Sequence, residues 1–267
     1  MAAEDRPAMI PAERQSHILR LLAGRPAIGI GELTQTLNVS HMTVRRDLAH
    51  LARSGRVVPV SGGVRLADPV LSQEAPHHAK AALHRDIKLA LGARAAATVP
   101  PGAALYLDAG TTMLAVADAL TGRDDLTIVT NDFVVLERLA ARTRAVIHHT
   151  GGLLDRENRS AIGEGAARAI GAFRLDIAFI SSSSFGARGL SVTDPGKGQV
   201  KEAAVANATA AILVADSSKF GRRAPYASLP LAAFSRVITD GGLPAEACRA
   251  VEACGPRLDI VEPGAQR

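Results

Sequence analysis

Seven short apolar runs, separated by longer polar segments, place the strongest constraint on how residues 104–261 can fold. Runs of four or five apolar residues are typical of strands that are buried on both faces, and their regular alternation with helical segments is typical of βαβ units. Such units predict a mainly parallel sheet covered by helices on both faces, which is a Rossmann-like α/β domain. The runs are ALYLD (104–108), LTIVT (126–130), AVIHH (145–149), DIAFI (176–180), AILVA (211–215), RVIT (236–239) and LDIV (258–261).

Helix-like segments fill most of the intervals between these runs, as a doubly covered sheet requires. Before the first run, a stretch rich in Ala and Leu predicts one long helix over residues 80–98, which ends at the Pro-Pro-Gly turn at 100–102. The shorter predicted helices cover residues 112–120, 133–142, 162–172, 200–209 and 245–254.

The residues that follow the strands are candidate ligand-binding residues, because such sheets bind ligands at the carboxyl ends of their strands. Directly after the first run comes DAGTT (108–112), which leads into a helix. Gly110 would let the backbone approach a ligand, and the unpaired amides of the helix start would favour an anion. Alternatively, Asp108 and the threonines only cap the helix. By the same rule and by the scarcity of lysine, which occurs five times against 26 arginines, the candidates are Asp108, Gly110, Thr111, Thr112, Asn131, Gly151, Gly152, Lys201 and Lys219.

The first 66 residues predict three short helices followed by a β-hairpin. Apolar residues at helical spacing indicate a first helix that opens at Pro11 and a second helix over residues 30–37. Ser40 is a good N-cap for a third helix, over about residues 41–53, since its hydroxyl can accept an unpaired amide hydrogen. The segments RVVPV and VRL around the turn SGG predict the hairpin. This order of elements is typical of a winged helix-turn-helix.

The third helix has one apolar side and one basic side. Val44, Leu48 and Leu51 share the apolar stripe, and Asp47 lies at the flank, available to a local base. The opposite side carries no acid, as expected of a helix that enters the major groove of DNA, although a merely solvated helix face is the alternative. The candidates are Thr43 and Arg46 for base contacts, Ser40, His41 and Met42 beside them, and Arg45, Arg56 and Arg65 for phosphates.

The positive charge is concentrated in the same part of the chain. Residues 1–66 hold nine arginines and five acids, which accounts for +4 of the net charge of +5. This asymmetry favours a polyanion as the partner of the amino-terminal quarter.

The segments ERQSHILRLL, GELTQTLNVSHMTVRRDLAHLARSG and VSGGVRL resemble the amino-terminal domain of DeoR-type bacterial repressors, without gaps of note across residues 11–66. The segments YLDAGTTM, LTIVTND, HTGGLL, VKEAAV, ILVADSSKFGRRA and VITDGGLP resemble the effector domain of the same family, in order across residues 79–262. That domain is similar to sugar-phosphate isomerases of the ribose-5-phosphate isomerase type. The resemblance implies that the candidate ligand-binding residues surround a phosphorylated sugar.

One departure from the family concerns the loop after DIAFI. Where the family usually has Gly-Ala-Asp-Gly, this chain has four serines at 181–184, so the acidic residue of that loop is missing. Either the hydroxyl pattern of the ligand or the affinity for it should therefore differ.

These observations predict a winged helix-turn-helix DNA-binding domain over residues 10–66, a linker over 67–78 with two prolines, and an effector-sensing α/β domain over 79–267. We expect His77 and His78 to be surface histidines on a loop, because no Cys, Asp or Glu stands at metal-ligand spacing. No cofactor and no metal are expected. No apolar run reaches about 18 residues, so we expect a cytoplasmic protein without a membrane partner.

The predicted function is a regulator of transcription, most simply a repressor released from operator DNA by a phosphorylated sugar or related metabolite. A homo-oligomer, dimer or tetramer, is expected because one small DNA-binding module buries too little surface for genomic specificity. Two alternatives remain: a sugar-phosphate isomerase with a DNA-binding appendage, and a constitutive DNA binder whose larger domain only oligomerises. We expect no enzyme, since the serine loop offers no carboxylate as a general base.

Overall fold

A computed structural model describes residues 9–22, 25–54, 56–67, 70–71 and 73–262. The chain divides into two units, Met1–Asp68 and Pro69–Arg267, and each is described by itself. Among the described residues, no helix is both long and apolar enough to cross a membrane. Residues 68, 69 and 72 of the predicted linker lie outside the described residues.

The smaller unit is a winged helix-turn-helix, as predicted. Its apolar centre is formed by residues of all three helices and of the hairpin, including Ile18, Leu33, Val44 and Val64, which are fully buried. The sequence analysis missed a two-residue strand that makes the wing a three-stranded antiparallel sheet in the order β1-β3-β2. The elements are α1 (Pro11–Leu22), β1 (Ile28–Gly29), α2 (Ile30–Leu37), α3 (His41–Arg53), β2 (Val57–Val60) and β3 (Gly63–Leu66).

A buried ion pair joins the first and third helices of this unit. Asp47 of α3 is 2% exposed, and its carboxylate accepts hydrogen bonds from Nε of Arg14 on α1 at 2.5 Å and from Nη2 at 3.2 Å. The expectation that Asp47 lies at a flank and is available to a local base is wrong. It is sequestered by a base 33 positions earlier in the chain, so it leaves the outer face of α3 without an acid.

The larger unit contains the predicted parallel sheet, and all seven predicted strands belong to it. The strand order is β15-β14-β12-β9-β4-β5-β6, and every neighbouring pair is parallel. Its strands are β4 (Ala104–Leu107), β5 (Thr127–Thr130), β6 (Val146–His149), β9 (Leu175–Ile180), β12 (Ala208–Val214), β14 (Arg236–Asp240) and β15 (Arg257–Val261).

Helices cover both faces of this sheet, and each face has its own apolar core. Alternate residues of β4 show the division, since Tyr106 packs into one core and Leu105 and Leu107 pack into the other. The helices are α4 (His77–Ala82), α5 (Arg85–Ala96), α6 (Thr111–Ala119), α7 (Phe133–Arg142), α8 (Gly163–Ile170), α9 (Pro195–Ala206) and α10 (Ala245–Glu252).

Two helix predictions were wrong in detail. The long helix expected over residues 80–98 is two helices, α4 and α5, because His84 has the left-handed backbone conformation (φ 52°) and interrupts them. Helix α9 begins at Pro195 rather than near residue 200, since the Asp194 side chain caps it and a proline is favourable at the first helical position.

Small β elements were also missed. A hairpin, β7 (Leu153–Asp155) and β8 (Ser160–Ile162), follows the sheet edge strand β6. A second small sheet has the order β10-β11-β13. Its strands are β10 (Phe185–Gly186), β11 (Gly189–Val192) and β13 (Tyr226–Ala227).

Helices α5 and α6 approach each other closely at Gly92. A Cβ at this position would lie 2.4 Å from the backbone oxygen of Ala115. Lys88 lies one turn earlier on α5, so the close contact at Gly92 also fixes the position of this lysine.

We therefore expect Gly92→Ala to destabilise the larger unit by about 1–3 kcal/mol, since overpacking of a close-packed contact displaces the backbone. The measurement is urea unfolding followed by circular dichroism. Gly165→Ala in α8 is the matched control, because its Cβ would lie 3.8 Å from the nearest atom, an ordinary contact. Gly165→Ala should not destabilise the unit, since alanine is a better helix former than glycine, and an equal loss in both variants would contradict the role assigned to the contact with α6.

Candidate functional site

A cavity opens in the larger unit where the chain order of the sheet reverses. From β4 the chain proceeds outward to β5 and β6, and it then returns to β9 on the other side of β4. The loops after β4 and β9 therefore diverge, which leaves a crevice at the carboxyl edge of the sheet. Asp108 follows β4 and Ser181 follows β9, and both line the cavity.

Asp108, Ser181 and Lys201 form the buried junction at the base of this cavity. The Asp108 carboxylate accepts hydrogen bonds from the Ser181 amide at 2.9 Å and from the Ser181 hydroxyl at 3.2 Å. It also forms an ion pair with the Lys201 ammonium, which donates a second bond to the Ser181 carbonyl oxygen at 3.0 Å. The alternative that Asp108 only caps helix α6 is wrong, since Gly110 occupies the N-cap and no side chain caps that helix.

The start of α6 faces the cavity. Gly110 has φ 120°, a conformation that side chains disfavour, so glycine is required here. Its amide donates to Asp132 at 2.8 Å, and Asp132 also caps α7 by accepting from the amides of Val134 and Val135. Burial raises the pKa of Asp132, although these backbone donors oppose the shift. Thr111 and Thr112 line the cavity at the first turn of α6, where the positive end of the helix dipole favours an anion.

Asn131 supports the same loop region. Its amide group donates to the carbonyl oxygen of Ala161 at 2.8 Å, and its side-chain oxygen accepts from the hydroxyl of Tyr106 at 2.9 Å. Burial raises the pKa of Tyr106, the first cause being loss of hydration and the next the nearby Asp108 and Asp132. The Asn131 side chain is therefore held in place from two strands.

Every lysine of the chain lines the cavity: Lys80, Lys88, Lys197, Lys201 and Lys219. They come from α4, α5, α9 and the loop after β12, so the fold gathers the rarest cation of the sequence at one place. An ammonium is a compact point charge that suits a small anion.

The lysines differ in how their charges are compensated. Lys80 pairs with Glu74 at 2.9 Å, Lys197 with Asp155 at 3.0 Å and with Glu74 at 3.3 Å, and Lys219 approaches Asp216 at 3.7 Å. Among the described residues, no carboxylate lies at ion-pair distance from Lys88, whose ammonium donates to the carbonyl oxygen of Lys80 at 2.5 Å.

Lys88 and Lys219 are partly buried cations with charged neighbours of both signs. Burial lowers the pKa of both ammoniums, and positive neighbours add to the effect. For Lys88 these neighbours are Lys219 and Lys80, and for Lys219 they are Arg222 and Lys80, while Asp216 opposes the shift in both cases. An anion bound near these groups would relieve the repulsion.

The structure brings seven of the nine candidate ligand-binding residues together around this cavity. Gly151 and Gly152 are exposed and do not line it. Gly152 instead allows the loop to approach α8, because a Cβ there would lie 2.9 Å from that of Ala166. The binding role of the seven stays a prediction. They are Asp108, Gly110, Thr111, Thr112, Asn131, Lys201 and Lys219.

The sequence analysis missed Glu74, Lys80, Lys88 and Lys197, although the rarity of lysine was a signal that pointed to three of them. Of the serine loop, Ser181, Ser182 and Ser183 line the cavity. The hydroxyl of the buried Ser184 donates to the Ser191 carbonyl oxygen at 2.7 Å and joins the loop to β11. This loop therefore contributes hydroxyl groups, and no carboxylate, to the cavity.

The expectation of two surface histidines at 77–78 is wrong for His77. It is 6% exposed, begins α4, and donates its amide to the carbonyl oxygen of Glu157 at 2.8 Å. Burial lowers the pKa of its imidazole, while Asp132 opposes the shift. Among the described residues, no group of three or more His, Cys, Asp and Glu could hold a metal ion.

The smaller unit presents the predicted basic surface on α3. The Ser40 hydroxyl caps the helix by accepting from the Thr43 amide at 3.2 Å, as expected, and the two hydroxyls lie 2.9 Å apart. Arg45 and Arg46 of the same helix are exposed.

The remaining predicted DNA contacts lie at both ends of this surface. His41 and Met42 are exposed in the first turn of α3, with Met42 at 69%. Arg56 is exposed before β2, and Arg65 of β3 is half-buried and donates to the carbonyl oxygen of Leu66 at 3.2 Å. Contact of these residues with DNA stays a prediction.

Two family models match the chain. The DeoR-like helix-turn-helix domain matches residues 14–70, and the DeoR C terminal sensor domain matches residues 83–241. The HTH-type transcriptional regulator YgbI of Escherichia coli K12, described as uncharacterized, is 46% identical and covers 91% of this chain and 95% of its own length. The glycerol-3-phosphate regulon repressor of the same organism is 32% identical and covers 88% and 93%.

Among solved structures, ribose 5-phosphate isomerase A from Methanocaldococcus jannaschii aligns with 51% of this chain and 54% of its own. The TM-score is 0.38 at 17% identity.

A winged helix-turn-helix followed by an α/β unit with a cation-lined cavity defines a DNA-binding transcriptional regulator with a sensor domain. The chain belongs to the DeoR family of HTH-type transcriptional regulators, since the two family models and the relatives together cover nearly all of it.

The ion pair between Asp108 and Lys201 should contribute to the stability of the larger unit. Lys201→Met leaves the carboxylate of Asp108 buried without its cation, so we expect a loss of about 3–5 kcal/mol in the free energy of unfolding. Adding Asp108→Asn should recover part of that loss, because the remaining partner is then neutral. Urea unfolding of wild type, both single variants and the double variant gives the coupling. If the loss of unfolding free energy in the double variant equals or exceeds the sum of the losses in the two single variants, the pair does not act as a unit.

Proposed function

We propose that this DeoR-family regulator is a repressor that leaves its operator when the cavity of the larger unit binds a phosphorylated sugar or a related metabolite. The observation that carries the proposal is the convergence of all five lysines with the start of α6 around one cavity. A phosphoryl group matches both features, since helix amides and ammonium groups are the usual protein ligands of phosphate. The name of one relative, a glycerol-3-phosphate regulon repressor, is consistent with a phosphorylated effector.

The proposal assigns DNA binding to residues 10–66, effector sensing to 79–267 and the connection to 67–78. Part of that connection has partners in the larger unit, since the Leu71 amide donates to the carbonyl oxygen of Arg223 at 2.7 Å. We further propose a cytoplasmic homo-oligomer, because a palindromic operator needs at least two recognition helices. Repression follows if the effector binds more tightly to the conformation that does not bind DNA.

We propose binding without catalysis. Isomerisation of a sugar phosphate requires a carboxylate that is free to remove a proton beside a carbonyl group. The two carboxylates that line the cavity, Asp108 and Glu74, are each engaged by lysine ammoniums.

For DNA recognition, we expect Arg46→Ala to weaken binding to the specific operator by about 1–3 kcal/mol, because an arginine at this position can pair with both acceptors of a guanine. The measurement is a titration with the DNA upstream of the chain's own gene and with random DNA of the same length, at a stated salt concentration.

Arg168→Ala is the matched control, since Arg168 is an exposed helical arginine of the larger unit and lies outside the proposed interface. Equal losses on specific and random DNA would assign Arg46 to a phosphate instead of a base. No loss on either DNA would contradict the proposed interface.

For the effector, we expect the thermal stability of the full chain to rise with phosphorylated sugars and not with the same sugars lacking phosphate. A ligand present at 100 times its dissociation constant should stabilise the unit that binds it by about 2.7 kcal/mol. Lys219→Gln should reduce the shift, because it removes one ammonium from the cavity. The absence of any shift across four-, five- and six-carbon sugar phosphates would favour a constitutive DNA binder.

A further inference from the structure

Glu74 occupies part of the cavity with its own carboxylate. The residue precedes α4, and its side chain is 13% exposed among the lysines. Two ammoniums and two hydroxyls surround it: Lys80 at 2.9 Å, Lys197 at 3.3 Å, Ser183 at 3.0 Å and Thr193 at 3.4 Å. These four side chains are here called the Glu74 subsite. They surround a carboxylate as a binding site would surround a ligand.

The subsite holds Glu74 in its charged form. Burial alone would raise the pKa of Glu74, but the charges of Lys80, Lys197 and Lys201 outweigh it and lower the pKa to about 2. Lys201 is also the partner of Asp108, so the Glu74 subsite and the junction beside the start of α6 lie close enough to interact. The cavity thus has two adjacent positions that favour an anion.

Only an anion can replace Glu74. If a sugar hydroxyl displaced the carboxylate, Lys80 would retain only the side-chain oxygen of Asn158, at 2.7 Å, and a buried ammonium without a counter-ion is costly. Lys197 would retain Asp155. Exchange of one carboxylate for another preserves the ion pairs and the two hydroxyl bonds, so its electrostatic cost is small.

We propose that the effector is a phosphorylated sugar acid, whose phosphate lies at the start of α6 and whose carboxylate displaces Glu74 from its subsite. This inference rests on the proposed function, which assigns a phosphorylated ligand to the same cavity. The missing acid of the serine loop is in accord with it: Ser183 donates a hydrogen bond to the carboxylate, whereas an acidic side chain in this loop would repel one. Glu74 is then an internal competitor of the effector.

The exchange has a regulatory consequence. Glu74 lies a few residues after Asp68, at which the smaller unit ends, so it stands near the start of the larger unit and within the linker that the sequence predicts over residues 67–78. Displacement of Glu74 releases this segment from Lys80 and Lys197, whereas a ligand that leaves Glu74 in place does not. Differential binding of this kind is what an effector needs in order to shift a conformational equilibrium.

The test compares matched pairs of ligands by calorimetry with the full-length protein. Each pair has the same carbon number: erythrose 4-phosphate and 4-phosphoerythronate, ribose 5-phosphate and 5-phosphoribonate, glucose 6-phosphate and 6-phosphogluconate. For at least one pair, we expect wild type to bind the acid about tenfold or more tightly than the aldose, since the acid alone can replace the buried charge.

Two variants assign that preference to the subsite. Glu74→Gln removes the competing charge and should tighten binding of the acid more than that of the aldose, so the preference should grow several-fold. Lys80→Gln removes one of the two ammoniums of the subsite, so it should reduce the ratio of the affinity for the acid to the affinity for the aldose phosphate, whatever its effect on the aldose phosphate alone. Glu246→Gln, at an exposed position of α10, is the control for the loss of a carboxylate elsewhere, and it should change neither affinity.

The outcomes separate the two proposals. If aldose and acid bind wild type equally, or if Glu74→Gln tightens both by the same factor, the carboxylate subsite is refuted and the phosphorylated effector stands. If no phosphorylated compound of either class binds wild type, the proposed function itself is refuted. Lys80→Gln leaves Glu74 in place, so it decides the question even where Glu74→Gln fails to fold.

Discussion

The ion pair between Asp108 and Lys201, with Ser181 bonded to both, is the interaction on which the candidate site depends. It joins the loop after β4, the loop after β9 and helix α9 at the point where the strand order reverses. Both charges are nearly inaccessible to water, so neither is tolerated without the other. The pair therefore fixes the part of the cavity lining that these three elements form, and the other four lysines line the same cavity.

A binding site for an anion needs more positive charge than its own carboxylates neutralise, and this cavity meets that condition by different means for different lysines. Lys201 is committed to Asp108, whereas Lys88 has a carbonyl oxygen as its hydrogen-bond acceptor. Lys80 and Lys197 share Glu74, which lies near the start of the larger unit. An anionic ligand and the carboxylate of Glu74 can therefore compete for the same ammoniums.

In the smaller unit, a buried ion pair of an arginine also has more than one structural effect. The buried pair of Arg14 and Asp47 holds α1 against α3 and removes the only acid of α3 from its outer surface. The exposed side of that helix is then positive, as a helix that approaches phosphates requires. Packing within the unit and charge on its surface are thus achieved by one interaction.

The sequence alone determined the two-part organisation, all seven strands of the sheet, the cap at Ser40 and the basic face of α3, because periodicity, capping and charge are local properties. It also pointed to the loop after β4. Only the tertiary structure decided that Glu74, Lys80, Lys88 and Lys197 belong to the cavity, since they lie far from that loop in sequence and meet it through the packing of α4, α5 and α9. The break at His84 and the sequestration of Asp47 were unpredictable for the same reason: each depends on a partner or a packing surface that no local pattern encodes.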